Sequence, residues 1–357
     1  MKKQNIDFFL LFSIGLLLVV GFLALATASI PLSLKLTGNA THYLFHQILF
    51  GLLPGLILGF IAFKVPLNKI KKISIWIFII SVLSMIAVFV PGLSKTELGA
   101  TRWLDLGFTT VQPSEFFKIC IIFYLATILD NEKNRKKFFV FASVMILTCL
   151  ILYFQKDTGT LFVIFATSLA MFFYSKTPIK QTILTIIGSI VGFAALIVFS
   201  PYKMARIFSF LNPNTDTLGS GYHINQALIT IGSGGLLGSG LGLGMQKLGF
   251  IPESISDSIF AILAEEIGFL GSSLLIILFL FFFFRVILVA KRASNQYLGL
   301  MALGLGCWII IQTFVNIGAM TALIPLTGIP LPFISYGGTH LIAELIASGL
   351  LLNISRR

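Results

Sequence analysis

Runs of about twenty predominantly apolar residues recur along the whole of this chain. A helix needs roughly 20 such residues to cross a bilayer core, and in hydrocarbon only a structure that satisfies its own backbone groups is viable. With 57% hydrophobic and 11% charged residues and a mean hydropathy of +0.99, the 357 residues have too little polar surface to cover a soluble domain. The pattern predicts an all-α polytopic membrane protein, a single domain over 1–357, with ten spans at about 8–28, 44–63, 73–91, 113–130, 138–154, 159–174, 181–200, 258–284, 297–317 and 334–354. The first run reads as a retained span: it is too long for a signal peptide and no small-residue cleavage site follows it.

Basic residues orient the spans, because Lys and Arg in short loops stay cytoplasmic. With both termini inside, 17 of the 25 Lys and Arg fall on the inner side. The eight that do not are Lys35, Lys95, Arg102, Lys118, Lys156, Lys203, Arg206 and Lys247. This arrangement puts 92–112 and a large loop between helices 7 and 8, about 201–257, on the outer face.

The net charge of +12 is therefore mostly a topology signal and a contact with anionic membrane lipids. Nucleic acid is excluded as a partner, since no basic patch carries interleaved aromatics. Cys120, Cys149 and Cys307 all fall in apolar spans and read as packing residues; His42, His46, His223 and His340 lack metal-ligand spacing. The glycine runs at 232–235 and 238–244 lack the strand before and the Lys-Ser/Thr after that a phosphate loop needs. No internal repeat of the transporter kind is visible.

Acidic residues carry the functional signal. Asp7, Asp130 and Glu132 lie inside, and the other ten of thirteen lie on the outer side or within spans. Glu265, Glu266 and Glu344 fall inside apolar runs. An ionised group at membrane depth costs about 2.5–3.5 kcal/mol even on the lenient insertion scale, so each must face protein or water.

Four polar clusters stand out. Gly99-Ala-Thr-Arg102-Trp103 precedes Gln112-Pro113-Ser114-Glu115, with Lys118 one turn on. Pro113 suits a first helical turn and Glu115 the positive end of its dipole. The group reads either as a capped helix with an internal ion pair or as a charged pocket in which Arg102 grips a phosphate. Gln155-Lys156-Asp157-Thr158-Gly159-Thr160 is a tight inter-helix turn, either capping or substrate-contacting. Residues 221–235 read as a short interfacial amphipathic element followed by flexible Gly turns. Lys247-Leu-Gly-Phe-Ile-Pro252-Glu253-Ser-Ile-Ser-Asp257 then leads into the helix bearing Glu265 and Glu266, where Asp257 is either an N-cap or a reactive carboxylate. The bland reading of Glu265 and Glu266 is a buried network. In Pro330-Leu-Pro332-Phe-Ile-Ser335-Tyr336-Gly337-Gly338-Thr339-His340, two prolines and two glycines imply irregular backbone facing protein or water.

The ordered set of these pieces, with Gly349-Leu-Leu-Leu-Asn353-Ile-Ser-Arg356 after them, resembles the SEDS family of bacterial cell-wall polymerases, the FtsW/RodA/SpoVE group, over nearly the whole chain. The resemblance implies ten helices, glycosyltransfer from lipid II on the outer face, and a class B penicillin-binding protein as crosslinking partner. Asp257 matches the family's essential outer-loop acid, and Glu115 with Lys118 its charged pair. By the same resemblance Arg102, Gln112, Ser114, Asp157, Lys247, Glu253, Ser335, Tyr336, Gly337 and Gly338 line the substrate path, with Glu265 and Glu266 as supporting buried acids. Two positions depart from the pattern: His46 replaces a Lys or Arg, and Glu344 replaces a polar residue, often Asn. Ala26-Thr-Ala-Ser29 and the Asp257-Ser-Ile-Phe-Ala-Ile run resemble the division (FtsW) branch, with divisome partners at the septum, more than the elongation (RodA) branch.

The expected mechanism uses Asp257 as base toward the acceptor 4-hydroxyl, with undecaprenyl pyrophosphate as leaving group. Arg102, Lys118 and a divalent cation (Mg or Mn) are the candidate neutralisers, and no organic cofactor is expected. The rival readings are a proton-coupled transporter or lipid flippase, built on Glu265, Glu266 and Glu344, and a scaffold that only activates its partner.

Overall fold

Helices dominate wherever the sequence runs apolar. The computed structural model describes residues 6–97, 100–105, 107, 109–130, 137–175, 177–198, 201–211 and 219–356. Gly99 and Glu132, singled out in the sequence, lie outside these residues. In chain order the helices are α1 (Phe8–Ala28), α2 (Ile30–Thr37), α3 (His42–Gln47), a π turn (Ile48–Leu52) running straight into α4 (Leu53–Lys64), α5 (Leu67–Ala87), α6 (Pro113–Asp130), α7 (Lys137–Phe154) and α8 (Thr158–Tyr174). They continue with α9 (Ile179–Val198), α10 (Pro201–Leu211), α11 (Ser220–Ser233), α12 (Ile259–Arg292), α13 (Gln296–Met320) and α14 (Gly338–Ser355). Among the described residues seven helical stretches are long and apolar enough to cross a membrane, and the shorter α8 is apolar as well.

The helices are not equivalent. In the most apolar window of α13, 83% of residues are buried, against 22% for the helix spanning His42–Lys64. Accordingly α13 forms the axis, packed by α6, α8, α12 and α14, while α1, α4 and α5 turn side chains such as Phe12, Phe60 and Trp76 outward. An apolar exterior around a polar-containing core is the arrangement that lipid selects. The seam between α4 and α14 is made close by Gly55, Gly59 and Gly349: a Cβ on Gly349 would strike the Gly59 carbonyl.

Three features differ from the sequence expectation. The fold is not purely helical: β1 (Ser94–Glu97), β2 (Ala100–Asp105) and β3 (Thr110–Val111) form a small antiparallel sheet in the order β1-β2-β3, with Lys95 opposite Trp103 and Asp105 opposite Thr110. This segment is too polar to stay in lipid and rich enough in Thr, Trp and Val to pair as strands. The last helix begins at Gly338 and not at 334, because the Tyr336 amide donates to the Ile255 carbonyl (2.8 Å) instead of continuing a helix. Within 201–257, α11 matches the amphipathic element expected at 221–235, whereas α10 is a helix not expected there.

Where that stretch returns to the bundle, it mends a broken helix. α12 is interrupted at Gly268 (φ 68, ψ −171). The groups released there pair with 235–240: Ser239 and Gly240 amides donate to the Glu265 and Glu266 carbonyls (2.9 and 3.0 Å), and Phe269 and Leu270 amides to Gly235 and Leu236 (2.9 and 3.1 Å). Such close backbone approach needs glycine on both sides, and a Cβ on Gly238 or Gly268 would collide with the opposing main chain. Non-helical backbone beside a membrane helix survives when its polar groups are met this way.

Candidate functional site

One end of the bundle is closed by ion pairs of ordinary kind: Arg285 with Asp7, and Lys71 with Asp130. At the other end, where α6, α8, α12 and α14 begin and α7 ends, lies a cavity of about 920 Å3. β2 supplies Arg102 and Trp103 to its wall, the entry to α6 supplies Gln112 and Glu115, and the α7–α8 turn supplies Lys156 and Asp157. α10 adds Lys203 and Arg206, α11 adds His223, and the approach to α12 adds Glu253, Ser256 and Asp257; Gly328, Tyr336, Gly337 and His340 complete it.

Asp257 does not cap α12. The N-cap position belongs to Ser258, and Asp257's carboxylate accepts a long hydrogen bond from Ser256 Oγ (3.4 Å). Its main chain is held from behind instead. Asn316 on α13 donates Nδ2 to the Asp257 carbonyl (2.8 Å) and to the Ile329 carbonyl (2.7 Å). Ser335 Oγ donates to the Ser256 carbonyl, and Gln47 Oε1 accepts from the Gly337 amide (3.0 Å). Burial, reinforced by the charge of Glu253, pushes the Asp257 carboxyl up to about 7, with Arg206 pulling weakly the other way.

Beside it, Ser258 Oγ donates to the Pro252 carbonyl (2.7 Å), so its bond with His223 Nε2 (2.6 Å) is donated by the imidazole. That assigns the proton to Nε2 and leaves the Nδ1 lone pair. Burial holds His223 below its ordinary value, against the opposing pull of Glu253.

Of the site residues expected from sequence, Asp257, Arg102, Gln112, Glu115, Asp157, Glu253, Tyr336 and Gly337 come together around the cavity. Arg102 also donates to the Gln155 and Lys156 carbonyls, pinning β2 to the α7–α8 turn. Asp157 caps α8, accepting from the Thr160 amide and hydroxyl (3.1 and 2.9 Å). Tyr336 shares a hydrogen bond with His46 Nδ1 (2.9 Å), which places that departure from the family pattern in the support of 335–337.

Seven expected residues stand behind the wall. Ser114 is buried in the first turn of α6, Gly338 opens α14, and Ser335 is buried beneath the 251–257 segment. Lys118 is 2% exposed; it donates to Glu115 (2.9 Å) and to Gln312 Oε1 (2.8 Å) and lies 4.8 Å from the centre of the Trp308 ring. Lys247 pairs with Glu266 (2.6 Å), whose other oxygen accepts from Thr27 (2.8 Å). Glu265 accepts from the Met245 amide (2.9 Å). These two acids therefore moor the return segment to α12 and α1. Glu344, the other departure, accepts from the Phe333 amide (2.8 Å).

Lys156, Lys203, Arg206, His223 and His340 were not assigned to the site from sequence, yet all line the cavity. A signal for three of them existed. Of the eight cations that break the inner-face charge pattern, Arg102, Lys156, Lys203 and Arg206 border the cavity, while Lys118 and Lys247 are neutralised by buried glutamates. Among the described residues no group of three or more His, Cys, Asp or Glu is assembled to hold a metal by itself.

The geometry therefore offers one high-pKa carboxylate, a set of cations and room for a bulky ligand. Known proteins share this chain's plan. Residues 8–357 match the family model described as cell cycle protein, covering FtsW, RodA and SpoVE. A protein named probable peptidoglycan glycosyltransferase FtsW from Aliivibrio salmonicida is 37% identical over 346 residues, 95% of this chain and 86% of that one. Stage V sporulation protein E of Bacillus subtilis is 36% identical over 360 residues, 99% and 98% of the two chains. Among solved structures, a chain from a study of how a peptidoglycan synthase complex coordinates polymerization and crosslinking superposes with a TM-score of 0.82 over 99% of this chain and 98% of that one, at 24% identity. At that identity it speaks to the fold, which is that of an integral membrane protein. The chain belongs to the FtsW/RodA/SpoVE family of cell cycle proteins.

Proposed function

We propose that the chain is a peptidoglycan glycosyltransferase that polymerises lipid II on the outer face of the cytoplasmic membrane. The observation that carries this reading is Asp257, a carboxylate with a pKa of about 7 in the wall of a large cavity that four cationic residues also border. A base works best when its pKa lies near the working pH. In the reaction, Asp257 takes the proton of the acceptor 4-hydroxyl as that oxygen forms its bond to the anomeric carbon of the donor. The bond from that carbon to the diphosphate breaks, and the electron pair leaves with undecaprenyl pyrophosphate. A glycosidase needs a second carboxyl to protonate a poor leaving oxygen. A diphosphate is already a stable anion and needs neighbouring positive charge instead. Any divalent cation, Mg or Mn, would arrive on the diphosphate itself; no organic cofactor enters.

The supporting topology has ten spans and both termini in the cytoplasm, with the sheet at 94–111 and the 201–257 stretch outside. The Arg285–Asp7 and Lys71–Asp130 pairs at the end opposite the cavity agree with a cytoplasmic basic face. The proposed partners are a class B penicillin-binding protein and divisome proteins at the septum, in line with the FtsW names of relatives at 37% identity. RodA-type elongation is the alternative branch, and depletion separates them: filaments mean division, rounded cells elongation.

The test is polymerisation of purified lipid II with and without a co-expressed class B partner. Wild type is expected to make glycan strands and Asp257→Asn none, with folding and partner binding intact. Wild-type rates from Asp257→Asn would remove the base assignment. Translocation of labelled lipid in liposomes without polymer would replace the enzyme reading with a flippase.

A further inference from the structure

The cations near the cavity are not equally satisfied. Lys118 and Lys247 each meet a buried glutamate at 2.9 and 2.6 Å. Arg102 donates to two backbone carbonyls, and Arg206 Nη1 to the Leu326 carbonyl (3.1 Å). Lys203 differs: its Nζ is shut off from solvent and has no hydrogen-bond partner among the described residues. The ammonium lies 4.8 Å from the centre of the Tyr153 ring, at the end of α7, and burial lowers its pKa. A cation withdrawn from water is costly unless an anion meets it, and none among the described residues pairs with Lys203, so an incoming anion would be favoured there.

α10 shows what kind. Lys203 and Arg206 are three residues apart and share the face turned to the cavity. Ala205, Phe208 and Leu211 form a second stripe that is exposed and apolar, with Phe208 and Leu211 58% and 63% exposed; Phe154, at the end of α7, is 66% exposed. One short helix thus offers positive charge inward and apolar surface outward. A ligand matching both carries a compact anion joined to a long apolar chain.

We propose that Lys203, with Arg206 beside it, forms the subsite for the diphosphate of an isoprenoid-linked ligand, whose chain leaves over the outer stripe of α10 and the end of α7. This inference rests on the glycosyltransferase reading of the same cavity and moves the main diphosphate contact from Lys118, which is already neutralised, to Lys203. Tyr153 supplies a ring face against which the ammonium is held.

The experiment measures equilibrium binding of farnesyl diphosphate and of inorganic pyrophosphate to the full-length, detergent-purified protein, for wild type, Lys203→Met and Lys203→Arg. A parallel arm measures binding of phosphatidylglycerol. Loss of one charge-assisted contact should weaken both diphosphates about tenfold in Lys203→Met and much less in Lys203→Arg. Phosphatidylglycerol binding should be unchanged. Equal diphosphate affinities in wild type and Lys203→Met would overturn the subsite, as would a matching loss of phosphatidylglycerol, which would make this a bilayer headgroup site. Thermal unfolding of Lys203→Met checks that the fold survives, and Lys203→Arg carries the test if it does not: with the charge kept, wild-type-like diphosphate affinity is expected, and failure of wild-type protein to bind either diphosphate overturns the proposal. Lys203-dependent binding without lipid II polymerisation by wild type would sink the glycosyltransferase reading alone. Polymerisation with Lys203-independent binding would sink this subsite alone.

Discussion

Asn316 on α13 gives both hydrogens of its side-chain amide to main-chain carbonyls, one to Asp257 (2.8 Å) and one to Ile329 (2.7 Å). The most buried helix of the bundle thereby holds the cavity carboxylate and the 321–337 segment at one point. Asn316→Ala removes both bonds. Turnover of lipid II is expected to fall by about ten- to a hundredfold, since small misplacement of a reacting group carries penalties of that order. Diphosphate affinity should hold. Equal losses in both would mean general unfolding.

With Asp257 as the proposed base, activity is expected to depend on pH. A base with a pKa of about 7 gives a rate that rises with pH and levels off above that value. Glu253 raises this pKa and Arg206 lowers it, so Glu253→Gln should move the rising limb to lower pH and Arg206→Gln to higher pH. Shifts in the same direction for both variants would contradict the assignment.

The same group has a stability consequence of opposite sense. Its folded pKa lies above the unfolded 3.8, so the native state holds the proton more tightly. Its effect on stability is most favourable below pH 3.8, falls between 3.8 and about 7, and is constant above. Asp257→Asn, which cannot ionise, should therefore melt at a higher temperature than wild type above pH 7 and lose that advantage toward pH 4.

Lys247 and Glu266 are 6% and 0% exposed and 2.6 Å apart. Removing one partner of such a pair leaves an uncompensated buried charge, which costs about 3–5 kcal/mol. Lys247→Met should destabilise by that order in thermal unfolding. The double variant with Glu266→Gln should recover much of the loss, and additive losses would show that the two side chains are independent.

Lys118 gives a contrasting case. Lys118→Ala leaves Glu115 without its ammonium and removes a donor from Gln312, so turnover should fall. With Lys203 as the diphosphate contact, farnesyl diphosphate affinity should change less than in Lys203→Met. Unchanged kinetics for Lys118→Ala would remove it from the machinery.

Much of this was legible in the residues. Apolar length predicted the helices, and Asp257, Glu115 and Arg102 were all found on one cavity. The sheet at 94–111 was missed because its strands are only two to six residues long and two of them carry charges, too brief for alternation to register. Lys203 and Arg206 were set aside as exceptions to the charge pattern, although being exceptions was their signal. Lys247 resembled a substrate contact because a buried mooring and a binding site use the same ionisable side chains, whereas Glu265 and Glu266, expected as supporting buried acids, are buried.

The sequence by itself determined the membrane class, the helical runs and the family, because apolar length and local motif order are properties of the chain alone. It could not decide which charges meet each other and which meet the cavity. That depends on contacts between distant segments: Lys118 with Gln312, Lys247 with Glu266, and the Asp257 main chain with Asn316. Only the tertiary structure leaves the Lys203 ammonium buried beside the cavity with no hydrogen-bond partner among the described residues, because pairing is settled by distances across the fold and not by spacing along the chain.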